Sequence, residues 1–191
     1  MRNNRIGFAV CGSFCTHKAA LAALKELCNE YETVIPIVSE ICTVSDTRFG
    51  RASDLIRTMR EFTGNEVISS VVAAEPIGPK QLLDALVIAP CTGNTLGKLA
   101  NGITDTAVTM VAKAHLRNDR PVIIGVATND GLSGSVQNIG KLLTRKNIYF
   151  VPFGQDDAVA KPCSLISDLT KLSDTLECAW KGKQIQPLLL R

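Results

Sequence analysis

The densest run of small polar side chains in the 191-residue sequence is Pro90-Cys91-Thr92-Gly93-Asn94-Thr95, which continues through Lys98 and Gly102 to Asp105. An apolar stretch, Ala85 to Ala89, leads into it and stops at Pro90. Cys91, Thr92, Asn94 and Thr95 would set donors and acceptors at the mouth of a sheet, and the Asn94 amide can read a carboxylate or a ring edge. Asn94 also suits a helix N-cap, but a run this dense exceeds what capping requires. A second cluster, Gly12-Ser13-Phe14-Cys15-Thr16, ends the apolar run Ile6 to Cys11. Glycine permits close backbone approach, the hydroxyls donate, and a following helix would offer unpaired N–H groups at its positive end, all of which suit a phosphate. A plain strand turn with a hydroxyl cap shares this chemistry. In the third cluster, Val38-Ser39-Glu40-Ile41-Cys42-Thr43, Ser39 is a donor to phosphate or ribityl oxygens, or an ordinary turn residue. None of the three matches GxGxxG or the P-loop, which argues against NAD or a nucleoside triphosphate on this chain.

The charged candidates are fewer. Arg48 and Arg51 flank Phe49-Gly50 in a loop, and with Lys80 they are candidates to hold substrate carboxylates. His17 and His115 are the only histidines; His17, near the first turn of the first helix, reads as a phosphate neighbour and His115 as structural. Lys98 reads as exposed or salt-bridged. The seven cysteines (Cys11, Cys15, Cys28, Cys42, Cys91, Cys163 and Cys178) are odd in number, irregularly spaced and without a CxxC pair. That favours free thiols and no metal site.

Elements must hold these clusters in place. Ile6–Cys11, Thr33–Val38, Val67–Ala74, Ala85–Ala89, Val122–Ala127 and Ile148–Val151 read as strands, with Pro36 marking an edge or a bulge. Helical spacing covers residues 18–30, 52–62, 94–114 (divided near Gly102), 133–145 and 164–181, with a short turn over 80–83. In the last helix Leu165, Leu169, Leu172 and Leu176 share a face. Residues 154–162 read as a polar loop, and the tail from Gly182 to Arg191 as loose or, through Leu188–Leu190, docked on a neighbouring subunit. Alternating elements with continuously apolar strands predict an α/β, doubly wound, mostly parallel sheet in one domain, residues 1–191. Ligands would then bind beyond the carboxyl ends of the strands.

Composition excludes several classes. Net charge is +3 with dispersed basic residues, so no nucleic-acid surface is expected. No apolar run approaches the ~20 residues that span a bilayer, and the polar start Met1 to Arg5 is unlike a secretory signal. A cytoplasmic protein is the expectation.

The segment PCTGNTLGKLANGITD resembles the P-x-S-A-N-T-x-x-K-x-x-x-G-x-x-D signature of flavoproteins related to the FMN-dependent cysteine decarboxylases, and Gly12-Ser13 resembles their phosphate loop. More narrowly, IAPCTGNTLGKLANGITDTAV with NIYFVPFGQDD is similar to the dipicolinate synthase B-subunit family. The resemblance implies a Rossmann-like flavoprotein fold, three-layered α/β/α. It implies FMN held by Gly12, Ser13, Cys15, Ser39, Pro90, Cys91, Thr92, Asn94, Thr95 and Thr128. It further implies homo-oligomers (trimers or multiples of trimers), a small dicarboxylate substrate, and a dehydrogenase-like A subunit as partner, which would carry any NAD(P). The implied role is oxidation of a dihydro- or hydroxytetrahydro-dipicolinate to dipicolinate during sporulation. Two departures from the decarboxylases stand out. The stretch Ala74 to Lys80 lacks their active-site histidine, leaving Glu75, beside Asn94, as the catalytic candidate. Ala127-Thr128-Asn129-Asp130-Gly131 replaces their substrate clamp. FMN-dependent decarboxylation, prenyl transfer, or a non-catalytic subunit stabilising the A chain are the rival expectations.

Overall fold

Five of the apolar runs form one parallel sheet. The computed structural model describes residues 1–190. Strands β1 (Arg2–Val10), β2 (Tyr31–Val38), β3 (Ala85–Cys91), β4 (Val122–Thr128) and β5 (Ile148–Phe150) lie in the order β2-β1-β3-β4-β5. An antiparallel hairpin, β6 (Phe153–Asp157) and β7 (Lys161–Ser167), joins the end of β4 through Ala127–Ile166 and Thr128–Leu165. Helices α1 (His17–Glu30), α3 (Ala52–Thr63) and α8 (Leu172–Trp180) cover one face, and α5 (Gly93–Asn101), α6 (Ala107–Arg117) and α7 (Val136–Leu143) the other. Two short helices, α2 (Ile41–Val44) and α4 (Val71–Ala74), complete the set.

The continuous apolarity of the strands follows from this layering. Along β1, Phe8 and Val10 pack with Leu24, Leu27 and Met59, while Ala9 packs on the opposite face with Leu96, Val108 and Val111. Each such side chain, fully withdrawn from water, contributes roughly 1.5–3 kcal/mol before chain entropy is counted. Pro36 sits in edge strand β2 with its carbonyl accepting from Ile68 N. Nitrogen and carbonyl of one residue in a parallel strand face the same side, so the missing donor points outward and the β1 ladder loses nothing.

The structure departs from the sequence expectations in four places. Residues 67–74 form no strand: Ile68 makes one isolated bridge to Ile37, and Ser70 then caps α4. The turn expected at 80–83 falls earlier, as a 3-10 turn over Glu75–Ile77. The polar loop at 154–162 and the start of the final helix are instead the β6–β7 hairpin, and α8 begins only at Leu172. Leu165 therefore belongs to a strand; its helical spacing to Leu169 is coincidental, because the pairing to β4 and β6 satisfies the backbone over 161–167. The tail docks on its own chain: Gln184 both accepts from and donates to the Phe150 backbone, and Leu188 and Leu190 pair with Phe153. Arg191 lies outside the described residues. No helix among those residues is long and apolar enough to cross a membrane.

Candidate functional site

Strand order reverses between β1 and β3: the chain leaves β1 for β2 on one side and returns to β3 on the other. A crevice opens at such a switch, above the carboxyl ends of the strands. It contains a cavity of about 410 Å³ lined by Gly12, Ser39, Glu40, Ile41, Thr92, Asn94, Thr95, Lys98 and Thr106. Three loops far apart in sequence thus deliver Gly12, Ser39, Thr92, Asn94 and Thr95 to one place.

Each group is held by identifiable bonds. Thr92 caps α5, accepting from Thr95 N at 3.3 Å. Its hydroxyl donates to Thr95 Oγ1 at 3.2 Å, and Thr95 in turn donates to Cys11 Sγ at 3.4 Å. Cys11 N donates to Pro90 O at 3.2 Å, tying the β1 loop to the β3 loop. Ser39 N donates to Val10 O, and its hydroxyl lies 3.4 Å from Cys42 Sγ. Gly93 brings α5 against the next loop: a Cβ there would stand 2.6 Å from Ser135 Oγ and 2.7 Å from Thr128 Oγ1 and Asp130 Oδ1. Asn94 is exposed, and its amide has no partner among the described residues. Since Thr92 is the cap, Asn94 is free of that duty.

Other candidates from the sequence lie elsewhere. The Ser13 hydroxyl accepts from Thr16 at 2.7 Å, and exposed Cys15 lies beyond it. Pro90 and Cys91 are buried beneath the cavity, and Thr128 donates to Asp130 behind Gly93. Glu75 is exposed at the end of α4 and does not line the cavity; neither does exposed Lys80. Arg48 stacks on Phe49, 4.8 Å from the ring centroid. Arg51 lines a different groove, of about 380 Å³, between α1 and α3. One chain therefore brings none of Arg48, Arg51 and Lys80 to the Asn94 cavity. Besides Ile41, three further polar residues line it that sequence reasoning did not mark as site residues. Glu40 accepts from Ala107 N at 3.0 Å, across 67 positions of sequence, Lys98 pairs with Asp105 at 2.8 Å, and Thr106 caps α6. Of these only Lys98 carried a local signal, as a member, with its partner Asp105, of the motif that follows Asn94.

The family described as Flavoprotein matches residues 1–171. The chain belongs to the flavoprotein family. The B subunit of dipicolinate synthase from Bacillus subtilis (strain 168) is 45% identical over 190 residues, covering 100% of this chain and 95% of that protein. The crystal structure of the dipicolinate synthase B subunit from Bacillus halodurans superposes with a TM-score of 0.90 at 42% identity, covering 100% of this chain and 99% of that one. The FMN-dependent cysteine decarboxylase SpaF shares the fold, with a TM-score of 0.68 at 21% identity over 94% of this chain and 97% of its own.

The electrostatics of this cavity disfavour covalent thiol chemistry. Burial pushes the Cys11 thiol up to about 12 and raises Cys91 well above the ordinary thiol value. Cys42 is raised as well, by burial first. These three thiols stay neutral at physiological pH, with Cys11 and Cys42 serving as partners for the Thr95 and Ser39 hydroxyls; a nucleophile would need the thiolate. The N-terminus of α5 supplies the positive pole.

Proposed function

We propose that this chain is the FMN-binding B-type subunit of a dipicolinate synthase. The observation that carries this reading is the meeting of Gly12, Ser39, Thr92, Asn94 and Thr95 at one cavity over the β1–β3 switch. The donor set fits a phosphate: Ser39, Thr92 and Thr95 each have a rotatable hydroxyl proton, and the first N–H groups of α5 have no helical acceptor. The hydroxyls and the α5 terminus hold the phosphate, Gly12 lets the ligand lie close to the β1 loop, and the uncommitted Asn94 amide meets a ring or carboxylate edge. Bound FMN supplies a two-electron hydride acceptor. With it the complex takes part in the aromatisation of a dihydro- or hydroxytetrahydro-dipicolinate, the latter losing water as well as hydride and a proton. The similarity to B subunits supports an A-subunit partner, which carries any NAD(P), and a cytoplasmic, sporulation-linked, homo-oligomeric setting. Cysteine-type decarboxylation has less support, because residues 74–80 lack a histidine and Glu75 stands away from the cavity.

FMN titration of the purified chain tests the reading. Saturable uptake, with an absorption maximum near ~450 nm, is expected, since cofactor chemistry needs the cofactor in place. A folded chain that takes up no FMN yet supports turnover by the A subunit would replace this reading with that of a non-catalytic partner.

A further inference from the structure

A second cavity, also about 410 Å³, lies at the opposite end of α5. Gly102, in the left-handed conformation at φ 71°, ends that helix, and Ile103 N bonds back to Lys98 O at 2.9 Å. The returning loop and the outer side of α6 enclose the space. Leu99, Ile103 and Leu116 give it an apolar lining, and Lys113, Arg117 and Arg145 stand around it. No carboxylate lines it, and none of the three cations has an ion-pair partner among the described residues.

Helix capping does not account for all three. Arg145 donates to Leu99 O at 3.1 Å, in the last turn of α5, and Arg117 lies in the last turn of α6. A helix end carries about half an elementary charge, so two ends call for roughly one cation, not three. Lys113 lies a turn further from the α6 terminus and is exposed. Unpaired like charges gathered on one cavity repel each other and are relieved by an anion of matching charge. The apolar lining adds a second requirement, because a bare inorganic anion leaves Leu99, Ile103 and Leu116 facing water.

We infer that this cleft binds a small dicarboxylate with an apolar or aromatic body, its carboxylates paired to Arg117 and Arg145 and steered by Lys113, at a site separate from the Asn94 cavity. The inference rests on the proposed function only in its choice of an aromatic diacid as probe. Guanidinium–carboxylate pairs are charge-assisted and directional, which selects a diacid over a monoacid.

Calorimetric titration of the full chain with pyridine-2,6-dicarboxylate, pyridine-2-carboxylate and inorganic phosphate tests it. The diacid should bind at least about tenfold more tightly than either comparator, and Arg117→Ala and Arg145→Ala should each weaken it by about tenfold or more. Lys113→Ala, on an exposed helix face where folding is not at stake, should weaken it less, and Arg117→Lys should restore part of the loss. FMN uptake should be the same in all these variants. Diacid binding that the variants leave unchanged, phosphate binding as tight as the diacid, or no binding at all overturns the inference. Diacid binding with no FMN uptake overturns the flavin reading instead and leaves this one standing.

Discussion

The two proposed anion sites, one at each end of α5, are built by opposite means. At its N-terminus the groups left to meet a ligand are neutral, namely the hydroxyls of Ser39, Thr92 and Thr95 and the Asn94 amide; the cation Lys98 is already paired with Asp105, and the carboxylate Glu40 accepts from the Ala107 N–H at the start of α6. At its C-terminus the cleft presents Lys113, Arg117 and Arg145 without carboxylates. The helix itself explains the contrast. Its N-terminal N–H groups and positive pole do the work of charge, so small dipoles suffice. Its C-terminal pole is negative, so an anion can be held there only by explicit cations that outweigh it.

The sharpest break in this comparison should come at Gly93. Gly93→Ala drives a Cβ into Thr128, Asp130 and Ser135 and shifts the start of α5. Overpacking of this kind costs about 3 kcal/mol, or roughly 10 °C of melting temperature in a chain this size. FMN uptake should be lost while diacid binding at the far end survives in the folded fraction. Next comes acid sensitivity. Burial lowers His115 to about 4 from its ordinary 6.5, so the unfolded chain binds the proton more readily than the folded one. Stability is fully present above pH 6.5 and falls as pH drops towards 4, by about 2 kcal/mol at pH 5. Denaturant midpoints measured across that range should flatten in His115→Gln. At the other end, Asp130 is held below its ordinary value chiefly by the Thr128 hydroxyl, and its contribution is lost only below the usual carboxylate range. Asn94→Ala should weaken FMN binding about tenfold, or ~1.4 kcal/mol, with the melting temperature unchanged. Thr92→Val should lower stability by about 1 kcal/mol for a lost cap. If Asn94→Ala costs more stability than Thr92→Val, the division of cap from ligand contact is wrong.

The parallel part of the fold was legible because strands buried on both faces must be apolar throughout, as Ile6–Val10 and Val122–Ala127 are. Pro36 marked its edge for a similar reason, since only an outward-facing position tolerates it. The hairpin was illegible because Gln155, Asp156 and Asp157 lie on its exposed outer part and look like a loop, while Leu165, Leu169, Leu172 and Leu176 mimic helical spacing across a strand and a turn. Residues 67–74 misled for the opposite reason: they are apolar enough for a strand, but only Ile68 finds a bridge. In the site, small polar residues after strands were visible because nothing else explains their density. Glu40 was not, since its partner Ala107 is distant in sequence. The grouping of Lys113, Arg117 and Arg145 depends on how α5, α6 and the end of α7 pack, which no local pattern encodes.

The outward face of Pro36, the crossing of Ile68 over it, and the grip of Gln184 on Phe150 have one consequence for assembly. Strands β2 and β5 offer no unbroken row of free amides, so a neighbouring molecule cannot prolong the parallel layer by adding a strand beside either of them; β6, the outer strand of the hairpin, is paired to the tail only at Phe153. Copies of this protein that associate against β2 or β5 must do so through side-chain contacts.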